Sequence, residues 1–136
     1  MISAYNSTTQ TLAVGASYTF DTNRIATGCT VGHVAGTPAF VLTKPGYYYV
    51  SFNTTFTSQT TGDVTVQLLK DGTAVPGATG TQTIATAGDI SSVAFATIVK
   101  VLPSCCAIDN TATLTFTVDG VAIDATVAAV NITKLC

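Results

Sequence analysis

Few residues in this 136-residue chain have the chemistry to catalyse, and their spacing does not assemble them. There is one histidine, His33, and no Ser or Cys nucleophile has a base near it in sequence. A triad would need His33, an Asp and a nucleophile brought together by folding. The reading favoured here puts His33 in a loop or at a subunit contact. The four cysteines are Cys29, the adjacent Cys105 and Cys106, and Cys136. A zinc site would need Cys29, His33, Cys105 and Cys106 to converge, and no Cys-x-x-Cys supports one. As disulfide formers the four cysteines allow three pairings, which spacing does not decide. A link from Cys29 to Cys105 or Cys106 suits an oxidising compartment, and half-buried thiols suit a reducing one. Adjacent cysteines rarely bond each other.

The acidic and aromatic residues point the same way. Of the Asp residues, Asp63, Asp71, Asp89 and Asp119 sit beside glycine, where turn chemistry explains them. No Asp-x-Asp-x-Asp run marks a calcium loop. The expectation is therefore no enzyme, no metal and no cofactor. The run Tyr47-Tyr48-Tyr49 would suit sugar stacking, but strand alternation sends Tyr48 to the opposite side from Tyr47 and Tyr49. Core or interface packing explains that run better. Asn6, Asn53 and Asn131 each begin an N-x-[ST] triplet, which a chain with 27 threonines produces by chance.

The elements that position these residues are strands. Tyr47 to Thr57 is aromatic, β-branched and uninterrupted, with Tyr48, Val50, Phe52, Thr54 and Phe56 on one face. Asp63-Lys70 keeps Val64, Val66 and Leu68 in phase, and Asp71-Gly72 signals a hairpin. Thr111-Asp119 points Leu114, Phe116 and Val118 inward and Thr113, Thr115 and Thr117 outward. Asp124-Leu135 is the last strand, apolar on both sides. Further strands are expected at Ile2-Tyr5, Thr11-Val14, Ser17-Asp21, Ala39-Thr43, Gln82-Ala85 and Ser91-Leu102. Gly28-Gly36 and Gly77-Gly80 read as loops. Roughly eight to ten strands at this spacing predict a single all-β sandwich or barrel over residues 1–136.

Composition narrows the function. Lys and Arg number 5, Asp 7, and there is no Glu, for a net charge of −2. Five scattered cations give no footprint for nucleic acid. No apolar run is long enough to span a bilayer, and Met1-Asn6 lacks the features of a secretory signal. A soluble monomer normally covers its surface with charge. Here threonine hydroxyls must do the solvating, or an oligomer must bury the rest. A second apolar face on the strongest strands suggests a subunit interface.

The order of motifs resembles the globular head of complement subcomponent q and the tumour-necrosis-factor-like superfamily. Ile2-Ser3-Ala4-Tyr5 resembles the family's opening A-F-S-A strand. Tyr18-Thr19-Phe20-Asp21 with Asn23 resembles its I-x-F-D…N segment. Phe40 to Phe52 (F-V-L-T-K-P-G-Y-Y-Y-V-S-F) is the closest match, to the family's P-G-x-Y-x-F stretch. Val66 to Gly72 (V-Q-L-L-K-D-G) resembles V-x-L-x-K-N-G. The G-D-x-V-x-L of the family is replaced by Cys105-Asn110, and its F-S-G-F is missing. The Thr-rich surface, Gly28-Gly36 and Cys105-Cys106 look like the bacterial and phage branch, which includes heads of collagen-like spore glycoproteins and phage particle proteins.

The resemblance implies a ten-stranded jelly-roll sandwich that forms a homotrimer. The interface set expected on this basis is Tyr47, Tyr49, Ser51, Phe52, Val130 and Ile132. The implied function is a structural module on a virion surface, as a capsid decoration, head spike or fibre component. The alternative is a receptor- or glycan-binding head of a phage fibre or of a bacterial or spore surface. Expected partners are other copies of the chain, capsid or fibre proteins, and a host-surface glycan. Nucleic acid and membrane insertion are not expected.

Overall fold

The computed structural model describes residues 1–101 and 111–135. Cys105, Cys106 and Cys136 lie outside the described residues, so the expected disulfides do too. Period-two patterning produces eleven strands among the described residues: β1 (Ile2–Asn6), β2 (Gln10–Leu12), β3 (Thr22–Ala26), β4 (Val31–Gly32), β5 (Phe40–Leu42), β6 (Gly46–Thr57), β7 (Gly62–Lys70), β8 (Thr73–Ile84), β9 (Ile90–Val101), β10 (Ala112–Asp119) and β11 (Ile123–Lys134). They form two antiparallel sheets. The six-stranded sheet runs β3-β1-β11-β6-β9, with β2 also on β11, and the five-stranded sheet runs β4-β5-β10-β7-β8. This is a jelly-roll sandwich of two packed layers.

Four details differ from the sequence reading. Gly28-Gly36 is not all loop, because Val31–Gly32 forms β4 against β5. Gly77-Gly80 is not a separate loop but lies within β8, which pairs with β7 at Thr73 and Ala74 and again from Thr79 to Ile84, with the register shifting between. Ser17-Asp21 is not a continuous strand, and contributes only the bridges Ser17↔Thr117 and Phe20↔Thr37. The polar edge strand β3 takes the outer place beside β1.

The core is built from the inward parity of each strand. Tyr48, Val50, Phe52 and Phe56 of β6 face Val64, Val66 and Leu68 of β7 and Leu114, Phe116 and Val118 of β10, all at most 1% exposed. At the centre, Phe52 and Phe116 stack across the two sheets with centroids 4.5 Å apart and planes 13° apart. Tyr18 and Phe20 pack edge-on around this pair. Such rings contribute both buried area and oriented quadrupole contacts.

One polar group is buried among them. Thr54 Oγ1 bridges Tyr18 Oη at 3.1 Å and the Val127 carbonyl at 3.0 Å. Burial pushes the Tyr18 pKa up to about 12, and the Thr54 contact opposes this.

Two close approaches require glycine. A Cβ on Gly120, whose φ is +94°, would lie 2.0 Å from the Asp63 carbonyl oxygen. A Cβ on Gly80 would lie 2.3 Å from Val93 Cγ1, where the edge strands β8 and β9 close the side of the sandwich. Asp71 and Gly72 both have positive φ, as the two-residue hairpin turn of β7 and β8 demands.

Phe116→Ala should lower stability by about 3–5 kcal/mol, read by urea unfolding, because it removes the ring that ties the sheets together. Tyr18 titrates above its unfolded value, so its contribution is complete below pH 10 and is lost as pH rises through about 12. Over that window the stability loss from Tyr18 should reach roughly 3 kcal/mol. Absorbance titration at high pH should show this phenol ionising only as the pH nears about 12.

Candidate self-association surface

The two sheets present very different outer faces. On the five-stranded sheet the outward parity carries Thr113 and Thr115 of β10, Thr65 and Gln67 of β7, and Thr79, Thr81 and Thr83 of β8. Hydroxyls there bond one another or Asp63, as in Thr65 Oγ1 with Thr81 Oγ1 at 3.1 Å and Thr83 Oγ1 donating to Asp63 Oδ1 at 2.7 Å. This face is solvated mainly by hydroxyls, with Asp63 as a charged acceptor among them.

The outer face of the six-stranded sheet mixes tyrosine, isoleucine and alanine with serine, asparagine and threonine. Strand register lays its residues in rows across β11, β6 and β9. Thr133, Tyr49 and Ile98 form one row, Asn131, Ser51 and Ala96 the next, and Ala129, Asn53 and Ala94 a third. Tyr5 extends the third row beside Ala129. Tyr47 and Tyr49 are each 42% exposed and Ile98 is 57% exposed. Lys100 is paired with Tyr47 across β6 and β9 and lies over its ring, 5.6 Å from the centroid. At the far side Arg24 lies over Tyr5 and donates to Ser3 Oγ at 3.1 Å. The cations thus fold onto the face instead of repelling what would cover it.

Of the residues expected at an interface, Tyr47, Tyr49 and Ser51 do point outward from β6. Phe52, Val130 and Ile132 do not. They are at most 1% exposed and lie between the sheets of one chain, so that part of the expectation is corrected. The physical reason is parity: Phe52 shares the face of Tyr48 and Val50, and Val130 and Ile132 pair with Phe52 and Val50 across β11 and β6. Ile98, Ala94, Ala96 and Val127 belong to the outer face and were missed. Their signal was the same parity, with Val93, Val99 and Val101 taking the inward positions of β9.

His33 is structural here. Its ring stacks on Phe40 at 4.2 Å, Nε2 lies 2.8 Å from the Thr37 carbonyl, and Nδ1 contacts the Asn23 amide. Burial lowers its pKa, with the Thr37 contact opposing. Cys29 is exposed. Among the described residues, no three His, Cys or Asp side chains gather as ligands for a metal ion.

Solved structures share this architecture. Murine APRIL aligns over 98% of this chain and 98% of its own, with a TM-score of 0.70 at 9% identity. The Eiger TNF of S. frugiperda aligns over 99% and 92%, with a TM-score of 0.70 at 12% identity. The vertex protein P5 of PRD1 aligns over 99% and 96%, with a TM-score of 0.56 at 14% identity. The fold is that of a tumour-necrosis-factor-like jelly roll. No family model matches the chain, and no curated protein matches its sequence.

The division between inward and outward residues has a direct consequence. Single substitutions Phe52→Asp, Val130→Asp and Ile132→Asp should each abolish folding, since an unpaired carboxylate would be buried in the core. Tyr49→Asp and Ser51→Asp should leave the circular dichroism of the folded sandwich intact.

Proposed function

We propose that this chain is a non-enzymatic structural module that self-associates as a homotrimer through the outer face of its six-stranded sheet. The observation that carries the reading is the contrast between the two outer faces. One is a threonine lattice suited to water, and the other displays Tyr47, Tyr49, Ile98 and Val127 with little charge. Exposed aromatic and aliphatic side chains gathered on one face mark an interaction site. A sheet face centred on tyrosines and alanines packs well against another copy, because tyrosine adds large contact area at low entropic cost.

The assembled module belongs on a particle surface, as a capsid decoration, head spike or fibre component of a phage. Support comes from the shared fold with the PRD1 vertex protein and from the motifs of the phage branch. A receptor- or glycan-binding head is the second reading. It is favoured by the exposed rings of Tyr47 and Tyr49, and it requires that these rings stay open in the assembly.

Light scattering on the purified protein should report about three times the 13.9 kDa chain, and a monomer would overturn the trimer. Tyr49→Asp and Ile98→Asp should shift that mass to one chain while the fold is kept. A glycan array that gives signal with the wild type and none with Tyr49→Ala, at unchanged mass, would favour the second reading.

A further inference from the structure

The outer face of the six-stranded sheet carries polar side chains at its middle. In one row, Asn131 of β11 lies between Ser3 of β1 and Ser51 of β6. Asn53 of β6 sits in the next row, between Ala129 of β11 and Ala94 of β9. Tyr49 and Ile98 occupy the row on one side of this band, and Tyr5 stands beside Ala129. Ser3 is buried, and its hydroxyl accepts from Arg24.

The two asparagines of this face differ from the other described ones. Asn6 Nδ2 donates to the Thr8 carbonyl at 2.6 Å, and Asn23 Nδ2 donates to the His33 carbonyl at 2.8 Å. Asn53 and Asn131 are exposed. Among the described residues, their side chains and that of Ser51 bond to no other group of the chain. On the opposite face the hydroxyls of Thr65, Thr81 and Thr83 do find partners within the chain.

We infer that Asn53 and Asn131, with Ser51 beside them, set the register in which copies of the chain meet, by hydrogen bonding across the interface to the same band of the neighbouring copy. The inference rests on the proposed self-association through this face and adds what makes that contact specific. Covering the face removes water from these groups. A carboxamide left unpaired there costs more than a paired one gains. Each amide holds both donors and acceptors, so around a closed ring it can donate to one neighbour and accept from the other. A slip along the strands by one outward residue, about 7 Å, would set the amides against tyrosine or alanine rows instead. Contacts between unlike patches close into a ring only at the right rotation and otherwise run on as an open stack. Tyr49 and Ile98 supply contact area without direction, and the amides select the closed ring. A single asparagine in an apolar helical seam fixes register in the same way, at some loss of stability.

The test is native mass spectrometry of the full chain and of the double variant Asn53→Val, Asn131→Val, with melting temperatures measured alongside. Valine suits an exposed strand position, so the sandwich is kept, which circular dichroism checks. The wild type should give one species of three chains. The double variant should spread into a ladder of masses beyond three chains, with a melting temperature equal to the wild type or higher. The double variant Asn53→Ser, Asn131→Ser should restore the single species, because hydroxyls also both donate and accept. Thr115→Val, on the threonine face, should keep it as well, which separates lost register from added apolar surface. A valine variant that remains one trimer, or that falls apart to monomers, would overturn the inference while self-association stands. A ladder from the serine variant or from Thr115→Val would overturn it too. A monomeric wild type would overturn the self-association itself, and the inference with it.

Discussion

The stacking of Phe52 on Phe116 is the contact on which the rest of the molecule depends. Each ring sits mid-strand in a different sheet, so their meeting fixes which parity of β6 and of β10 turns inward. A strand cannot change parity without moving every side chain to the other side. From these two strands, pairing carries the choice to β7, β9 and β11, and β8 follows from β7. The core and both outer faces are consequences of one decision about alternation.

What the outer faces carry then separates two ways of living with little charge. The five-stranded sheet exposes hydroxyls that bond to each other and to water. The six-stranded sheet exposes aromatic and small apolar side chains, with Arg24 and Lys100 laid over tyrosine rings. On the proposed reading, copies of the chain cover the second face, which requires no other component.

Much of this was legible in the sequence, for reasons tied to particular segments. β6, β7 and β10 alternate cleanly, and Asp71-Gly72 has the chemistry its turn needs. Gly77-Gly80 misled, because glycine normally interrupts strands. Here Gly80 is in a strand because Val93 of the facing edge strand occupies the space of a Cβ. The interface was the least legible part. β11 is apolar on both parities and shifts register between Ala125 and Val127, so nothing local says that Val130 and Ile132 turn inward. Ile98 sits in the run from Ala94 to Val101, whose hydrophobicity hides its alternation. A surface assembled from residues of several strands has no motif of its own, and only register brings it together.

The central claim is that the outer face of the six-stranded sheet is covered by other copies of the chain. Hydroxyl-radical footprinting of the intact assembly, read by mass spectrometry at each residue, tests it most directly. The account predicts strong protection of Tyr47 and Ile98 relative to the Tyr49→Asp monomer, with Val34 and Ile90 modified equally in both. Modification of Tyr47 and Ile98 in the assembly at the monomer's rate would contradict it.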